Sequence, residues 1–250
     1  MAVSIKSARE IELMREAGKR LAHVHQELEA MIAPGISTWE IDAKGEKLIR
    51  DCGCIPNFLH YNGYPASICV SVNDEVVHGI PRKDRYLKEG DIVSLDAGLI
   101  YKGYHSDAAR THAVGKVSTE AQKLMDVTKQ SFFEGIKMAK EGQHLHDISR
   151  AIEEYVTPYG YGIVRDLVGH GIGTALHEDP QIPNYTQKRR GVRLQAGMTL
   201  AIEPMINAGT WQVRFLRDGW TVVTKDGSLS AHYENTILVT DGEPEILTLY

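Results

Sequence analysis

Cysteine is scarce in this sequence, and its scarcity excludes a disulfide-built protein. Three cysteines, Cys52, Cys54 and Cys69, are an odd number and too few to cross-link a chain of 250 residues. The spacing Cys52-Gly-Cys54 could belong to a metal knuckle, but no second cysteine pair completes it. We therefore interpret these residues as ordinary buried thiols.

The sequence also lacks a long apolar run and a large excess of either charge. No apolar stretch approaches the roughly 20 residues that a membrane-spanning helix needs, and the first ten residues contain no signal-peptide segment. The 28 basic and 33 acidic residues give a net charge of −5, without an overall basic footprint for nucleic acid. The compact basic patch Lys188-Arg189-Arg190 is more typical of a solvated loop. We expect a cytoplasmic protein whose partners include neither a membrane nor a specific nucleic-acid sequence.

The 42% of hydrophobic residues is enough for one large core, so we expect residues 1–250 to form a single domain. Capping boxes and apolar periodicity predict helices at about 8–32, 37–53 and 119–142, and a fourth that carries Ile148 and stops near Gly160. β-Branched and aromatic residues predict strands at 67–72, 92–100, 104–114, 198–206, 220–224 and 232–240. Because strands follow each helix pair, the pattern indicates an α+β fold with a mostly antiparallel sheet.

An internal repeat relates the two halves of the chain. A shift of 107 residues connects the following pairs: Gly35 and Gly142, Ile41 and Ile148, Gly53 and Gly160, Gly90 and Gly197, Leu95 and Ile202, Asp96 and Glu203. The last pair superposes two carboxylates in apolar strands. We infer halves of about 1–115 and 116–250 related by a pseudo-two-fold axis, with the acids meeting near it.

Two aspartates interrupt apolar strands in the first half. A tight turn at Lys102-Gly103 would place Asp96 opposite Ala109 and make Asp107 its diagonal neighbour on the same face. Diagonal neighbours lie roughly 7 Å apart at Cβ. A buried carboxylate is costly unless it is paired or binds a metal, so this pair predicts a cation between the two side chains.

The second half repeats the anomaly, because Glu203 and Glu234 each interrupt an apolar strand and His170 lies between glycines. One such acid is usually a salt-bridged structural residue, but four acids and an imidazole suit two divalent ions such as Mn, Fe, Co or Zn. An all-oxygen site would favour Mg or Ca instead. The glycines at 169–173 could also form a dinucleotide loop, but two prolines follow too soon for the helix that such a loop needs.

Beyond these acids, several segments match a known family in order along the chain. They are Tyr61-Asn-Gly-Tyr-Pro-Ala-Ser-Ile-Cys69, Val76-Val-His78-Gly-Ile-Pro, Leu95-Asp96-Ala-Gly, His105-Ser-Asp107, Gly169-His170-Gly-Ile-Gly, His177-Glu, Ile202-Glu203-Pro and His232-Tyr-Glu234-Asn. Through them the chain resembles, essentially from end to end, the type I methionine aminopeptidases of the pita-bread fold. The resemblance implies a single catalytic domain with a dinuclear metal site at its centre.

The resemblance also implies a role for each metal ligand. Asp96 would bind one ion, Asp107 and Glu234 would bridge both, and His170 and Glu203 would bind the other. A hydroxide between the ions would attack the first peptide carbonyl of a chain that begins with methionine followed by a small residue. Glu203 would move its proton.

Two further histidines and an apolar pocket complete the implied site. His78 and His177 resemble non-ligand histidines that hydrogen-bond the substrate backbone and the developing oxyanion. The implied walls of the methionine pocket are Tyr61, Tyr64, Cys69, Leu176 and Trp220. The family commonly has an aromatic residue at position 176, so leucine would leave more room and relax selectivity toward longer or branched residues. Alternatively, this leucine simply packs in the wall.

The chain lacks segments that relatives carry: the N-terminal extension of eukaryotic type I enzymes, the helical insertion of type II enzymes and the extra domain of prolidases. The resemblance therefore implies a compact, monomeric bacterial-style enzyme that acts on nascent polypeptides. A contact with the ribosome near the exit tunnel fits such substrates, although no motif shows it.

Three alternatives remain open at the level of sequence. A proline-specific peptidase of the same fold is opposed by the chain length and by the segment 61–69. A non-catalytic binding protein on this fold would be expected to lose metal ligands, and none of the five is lost. A metal-free hydrolase with paired carboxylates would leave His170 and the doubled acids unexplained.

Overall fold

The computed structural model describes residues 3–249. Its helices are α1 (Ala8–Glu29), α2 (Thr38–Asp51), α3 (Thr119–Ile136) and α4 (Leu145–Val156). The predicted capping boxes are present: the hydroxyls of Ser7 and Ser37 accept from the backbone N–H groups of Glu10 and Glu40, whose carboxylates accept from the serines. Across the described residues, no helix is both long and apolar enough to cross a membrane.

The C-terminal end of α3 differs from its prediction. This helix begins after a Ser118 cap and ends at Ile136, well before the predicted Gly142. Beyond Ile136 the chain turns, and Lys140 forms a β-bridge with Thr240. That tertiary pairing competes with helix continuation, which the apolar periodicity alone could not reveal. α1 likewise ends about one turn early, at Glu29.

Antiparallel strands form the rest of the fold, which confirms the α+β prediction. The described strands are β1 (Ile55–Pro56), β2 (Ile68–Val72), β3 (Glu75–Val77), β4 (Ile92–Tyr101), β5 (Tyr104–Ala113), β6 (Gly162–Ile163), β7 (Gly169–Gly171), β8 (Glu178–Ile182), β9 (Thr199–Ile202), β10 (Met205–Asn207), β11 (Val213–Phe215), β12 (Val222–Thr224), β13 (Ser230–His232), β14 (Glu234–Leu238) and β15 (Glu245–Ile246). A nine-stranded sheet has the order β1-β4-β5-β14-β9-β7-β8, with β2 beside β4 and β15 beside β14. Two three-stranded sheets, β13-β10-β6 and β11-β12-β3, complete the fold.

Two predicted long strands are each divided. The strand predicted at 198–206 is β9 and β10, because Glu203-Pro204 interrupts the ladder and proline has no N–H to donate. The strand predicted at 232–240 is β13 and β14, separated at Tyr233, whose N–H binds the Pro204 carbonyl. The short strands such as β1, β6 and β15 were not predicted, since two residues are too few to show an alternation.

The β4–β5 hairpin has the predicted register. Asp96 pairs with Ala109, and Asp107 pairs with Gly98. The turn residues Lys102 and Gly103 both have positive φ, 49° and 86°, as a two-residue type I′ hairpin requires. The two aspartates are therefore diagonal neighbours on one face of the sheet.

The predicted repeat is confirmed by equivalent backbone contacts. The N–H of Gly35 binds the Leu87 carbonyl at 2.8 Å, and the N–H of Gly142 binds the Leu194 carbonyl at 2.9 Å, one repeat later. These two glycines have φ values of +92° and +88°. In each half, therefore, a glycine with positive φ follows the first helix and binds an equivalent residue that precedes a strand of the central sheet.

The alternation along β4 and β5 separates the core from the acids. Leu95, Ala97 and Ala108 belong to the core beneath α1 and α2. Asp96 and Asp107 point to the other face, because neighbouring residues of a strand point in opposite directions. The helices thus cover one face of the central sheet, and the carboxylates lie on the opposite face.

Two minor sequence predictions concern thiols and a basic patch. Of the two thiols predicted to be buried, Cys54 is buried and Cys52 is only half-buried, because Cys52 caps the solvent-facing end of α2; Cys69 is buried as well. All three thiols are unpaired. Residues 188–190 form an exposed loop, as predicted, in which Arg190 pairs with Asp147.

Candidate metal centre and substrate pocket

One cavity of about 230 Å³ opens on the acidic face of the sheet. It brings together all twelve side chains that the sequence predicts as site residues, together with Phe58 and Asn62. The lining residues are Phe58, Tyr61, Asn62, Tyr64, Cys69, His78, Asp96, Asp107, His170, Leu176, His177, Glu203, Trp220 and Glu234. The structure therefore places the predicted site residues together in one cavity, and the role of each stays a prediction.

Five neighbouring strands of the central sheet each supply one donor group. In sheet order they are β4, β5, β14, β9 and β7. The corresponding side chains are Asp96, Asp107, Glu234, Glu203 directly after β9, and His170. The first three carboxylates and the imidazole are buried, and Glu203 is nearly so. The floor of the cavity is therefore a row of donors that crosses from the first half to the second.

Side-chain hydrogen bonds join the two halves where the regular ladder is short. β5 and β14 pair only at Glu234 with Ala109 and at Asn235 with Ala108. The hydroxyl of Thr236 then accepts from the N–H of Asp107 at 3.0 Å and donates to its carbonyl at 2.8 Å. This reciprocal contact fixes the backbone that carries Asp107 beside the backbone that carries Glu234.

The four carboxylates form an unfavourable cluster by themselves. Burial raises the pKa of Asp96 to about 7. Burial and then the neighbouring carboxylates raise the pKa values of Asp107, Glu203 and Glu234 well above the usual range. Buried oxygens of Asp96, Asp107 and Glu234 have no hydrogen-bond partner. Divalent cations satisfy such orphan oxygens, so the donor set fits a metal centre.

The metal-free protein should lose stability as pH rises from about 6.5 through about 7, the folded-state pKa of Asp96. A carboxyl group with a raised folded-state pKa contributes stability below its unfolded pKa and loses it as pH rises through the folded value, about 7 for Asp96. The buried histidines, such as His170, have lowered pKa values, so their opposing contribution is complete above about 6.5. Calorimetry of chelator-treated protein would measure the trend. A melting temperature that rises across this interval would contradict it.

His170 is prepared to bind a metal through its outer ring nitrogen. Its Nδ1 lies 2.9 Å from the Gly171 carbonyl and donates its proton there, which leaves the lone pair on Nε2. That Nε2 lies 3.6 Å from Glu203 Oε1. Burial lowers the pKa of His170 to about 3, so the ring is neutral. Donor atoms of Asp107, His170 and Glu234 lie within 4.8 Å of one another, close enough to share an ion.

His78 and His177 lie at the wall and mouth of the cavity. His78 has a positive φ of 58°, an uncommon conformation for a non-glycine residue, and its ring lies 6.2 Å from that of Trp220. Burial lowers its pKa to about 4, so it is a neutral hydrogen-bonding group at pH 7. His177 Nδ1 contacts the Tyr61 hydroxyl at 2.7 Å, and its ring lies 4.3 Å from that of His170.

The wall beside the carboxylates is apolar and tightly packed. Tyr64 meets Trp220 edge-on at 5.2 Å, and its hydroxyl donates to the Gly79 carbonyl at 2.9 Å. Cys69 lies opposite Asp96 in the β2–β4 pairing, and burial raises the pKa of its thiol. Leu176 is only 3% exposed and belongs to the same cluster. The result is a narrow, uncharged compartment next to the donor row.

An ion pair holds the loop that carries Leu176 and His177. Lys6 Nζ binds Glu178 Oε2 at 2.6 Å, and both side chains are largely buried. The other oxygen of Glu178 accepts the N–H of Ala175 at 3.3 Å. The N-terminal segment before α1 thereby fixes the geometry of the loop at the cavity mouth.

Sequence reasoning assigned no role to His232, Phe58 or Asn62. His232 Nε2 lies 3.7 Å from Glu203 and 3.8 Å from Glu234. Its two-residue spacing from Glu234 was an available signal, since residues i and i+2 share a face of a strand. Phe58 and Asn62 reach the cavity through an irregular turn in which Asn62 has a φ of 48°, and no periodic pattern predicts that.

The chain matches one protein family over most of its length. The sequence model of metallopeptidase family M24 covers residues 12–241. A methionine aminopeptidase of Clostridium acetobutylicum is 54% identical over 99% of both chains. Methionine aminopeptidase 1 of Bacillus subtilis is 51% identical, over 97% of this chain and 98% of that protein.

Solved structures give the same result at the level of the fold. The crystal structure of methionine aminopeptidase from Thermotoga maritima superposes with a TM-score of 0.97 and 46% identity, covering 100% of both chains. An Xaa-Pro dipeptidase from Bacillus anthracis has a TM-score of 0.80 and 26% identity, and only 61% of that longer chain is covered. The pita-bread fold and the donor row agree with these matches. The matches show that the chain belongs to metallopeptidase family M24, a family of metal-dependent hydrolases.

Proposed function

We propose that the protein is a methionine aminopeptidase, which removes the N-terminal methionine from peptides and nascent proteins when the next residue is small. The observation that carries the proposal is the donor row at the floor of an open cavity with an apolar wall. Such a site can bind one apolar side chain in the apolar wall and place the adjoining peptide bond beside the side chains that would hold the metal. The similarity to methionine aminopeptidases over nearly the whole chain supports this choice of substrate.

The proposed cofactor is a pair of divalent ions, Mn, Fe, Co or Zn. Asp96 would bind one ion, Asp107 and Glu234 would bridge the pair, and His170 and Glu203 would bind the other. When bound, two such ions polarise a peptide carbonyl and lower the pKa of water. One nitrogen and several carboxylate oxygens are a ligand set that these metals accept.

The side chains of the protein would then orient the substrate and move the proton. Glu203 lies within the cavity floor, where its carboxylate could accept a proton from the attacking water. His78 and His177 are neutral N–H donors that line the same cavity, where they could bind the substrate backbone and the developing oxyanion. Tyr61, at the mouth, orients His177 through their hydrogen bond.

Tyr64, Cys69, Leu176 and Trp220 would enclose the methionine side chain. The compartment is uncharged, because burial keeps the Cys69 thiol protonated. An unbranched thioether fits a narrow space of this kind at little strain. A monomer whose residues 1–250 act as one catalytic domain would work in the cytoplasm, where nascent chains emerge from the ribosome.

Hydrolysis of Met-Ala-Ser by metal-stripped protein, with and without added Mn or Co, tests the proposal. Leu-Ala-Ser and Ala-Pro-Ser serve as matched control peptides. We expect metal-dependent release of free methionine and little product from the controls. Cleavage mainly of the proline peptide would assign the protein to the prolidase branch of its family, and bound metal without cleavage would indicate a binding protein.

Replacing Leu176 by phenylalanine should increase the preference for methionine over leucine at the N-terminus. The larger ring would reduce the space beside Cys69 and disfavour a branched side chain, and a methylene-scale difference is worth about 10-fold or more. Relative kcat/KM values for Met-Ala-Ser and Leu-Ala-Ser would measure the change. An unchanged ratio would mean that Leu176 only packs in the wall.

A further inference from the structure

His232 is a buried imidazole that the proposed mechanism does not use. It ends β13, is 1% exposed, and neither ring nitrogen has a hydrogen-bond partner. Its backbone is fixed on both sides by Thr111, whose hydroxyl accepts from the His232 N–H and donates to the His232 carbonyl, each at 2.8 Å. The backbone that carries this ring is therefore fixed beside the donor row.

The ring faces two of the proposed metal ligands. His232 Nε2 lies 3.7 Å from Glu203 Oε2 and 3.8 Å from Glu234 Oε2. The opposite oxygen of Glu203, Oε1, lies 3.6 Å from His170 Nε2. Glu203 is thus between two imidazoles, with one carboxylate oxygen directed at each.

The Nδ1 atoms of the two imidazoles differ: that of His170 has a hydrogen-bond partner and that of His232 has none. A metal-binding histidine donates its other N–H to an acceptor, as His170 does to Gly171. Nδ1 of His232 has no acceptor, so the metal-binding tautomer would bury an unpaired N–H group. Nδ1 also lacks a partner when the proton is on Nε2, but that tautomer directs an N–H group, rather than a lone pair, at the carboxylates of Glu203 and Glu234, which is the electrostatically favoured arrangement.

We propose that His232 is a positioning residue whose Nε2–H attracts the facing oxygens of Glu203 and Glu234, 3.7 and 3.8 Å away, and so would leave Oε1 of Glu203 directed toward a metal bound by His170. This inference rests on the proposed function for its catalytic consequence. A carboxylate attracted through one oxygen would rotate less freely, and its other oxygen would then be available to a bound metal in one preferred orientation. Loss of the donor would leave Glu203 free to turn.

Comparison of His232→Leu with His232→Gln tests the donor role, because glutamine retains an N–H near the original position and leucine does not. Loss of a residue that orients a ligand costs about 10- to 100-fold in activity or metal affinity. We expect His232→Leu to lower kcat by that factor with a nearly unchanged KM, and His232→Gln to recover most of the loss. Equal impairment of both variants, or an unimpaired leucine variant, would overturn the proposal.

X-ray absorption of the cobalt-loaded protein gives a second readout, which requires no substrate. We expect one imidazole on the metal pair in the wild type and in both variants. Two imidazoles in the wild type would make His232 a ligand and overturn the proposal. The cobalt visible spectrum should change in His232→Leu and not in His232→Gln, so the positioning role can be judged even if methionine peptides are not cleaved.

His112 provides a matched control on the other face of β5. It is also a histidine with a buried, unpartnered ring nitrogen, but its Nδ1 lies 3.8 Å from Glu29, away from the carboxylates. His112→Leu should leave kcat and the cobalt spectrum unchanged. An equal effect at His112 would show that the loss at His232 is one of general packing and would overturn the proposal.

Discussion

Glu234→Gln should lower methionine release by about 100-fold or more and reduce the bound metal from two ions to one. Loss of a residue that merely orients a ligand already costs about 10- to 100-fold, and this change removes a proposed bridging charge between two cations. Asp107→Asn should behave in the same way. Elemental analysis after equilibrium dialysis gives the stoichiometry, and two retained ions in either variant would contradict the bridging assignment.

The same substitution should have the opposite effect on the metal-free protein. The pKa of Glu234 is raised well above its usual range, first by burial and then by Asp107, Glu203 and Asp96, so this carboxyl opposes folding of the metal-free protein at pH 8. Neutral glutamine has no proton to lose, so the metal-free variant should melt a few degrees above the metal-free wild type, about 2–4 °C for each kcal/mol in a chain of this size. Glu75→Gln is a suitable control, because Glu75 is a partly buried carboxylate outside the site. It should leave metal stoichiometry unchanged.

His78→Ala and His177→Ala should retain both metal ions while lowering turnover by about 100- to 1,000-fold, the usual cost of one oxyanion donor. Neither ring is part of the donor row. Because the pKa of His78 is lowered to about 4, that residue stays neutral above about pH 5. The ratio of wild-type to His78→Ala rates should therefore stay constant from pH 6 to 9. Loss of metal from either variant would place that histidine among the ligands instead.

The sequence was most informative where a residue violates the rule of its own element. An acid in an apolar strand is such a violation, and the four acids lie together in the structure. The β4–β5 register followed from the Lys102-Gly103 turn, because a two-residue hairpin leaves one pairing. The repeat followed from glycines with positive φ, which few other residues can replace.

The sequence could not predict the order of the strands in the central sheet. That β14 lies between β5 and β9 depends on packing between the halves, and no local pattern encodes it. The apolar pattern predicts one continuous strand across Glu203-Pro204, but the proline interrupts the ladder there. His232 was visible two residues before Glu234, but its significance depends on the distance to Glu203, which only the folded chain defines.

The Lys6–Glu178 ion pair also restricts the order in which the site can assemble. These residues are 172 positions apart, so their contact has a high sequence separation and a large loop-closure cost. The loop with Leu176 and His177 gains this support only after the segment around Lys6 docks on a part of the chain that is synthesised much later. The donor row itself requires Glu234, which comes later still. A newly made molecule therefore cannot complete the site before Glu234 has been synthesised and the segment around Lys6 has docked.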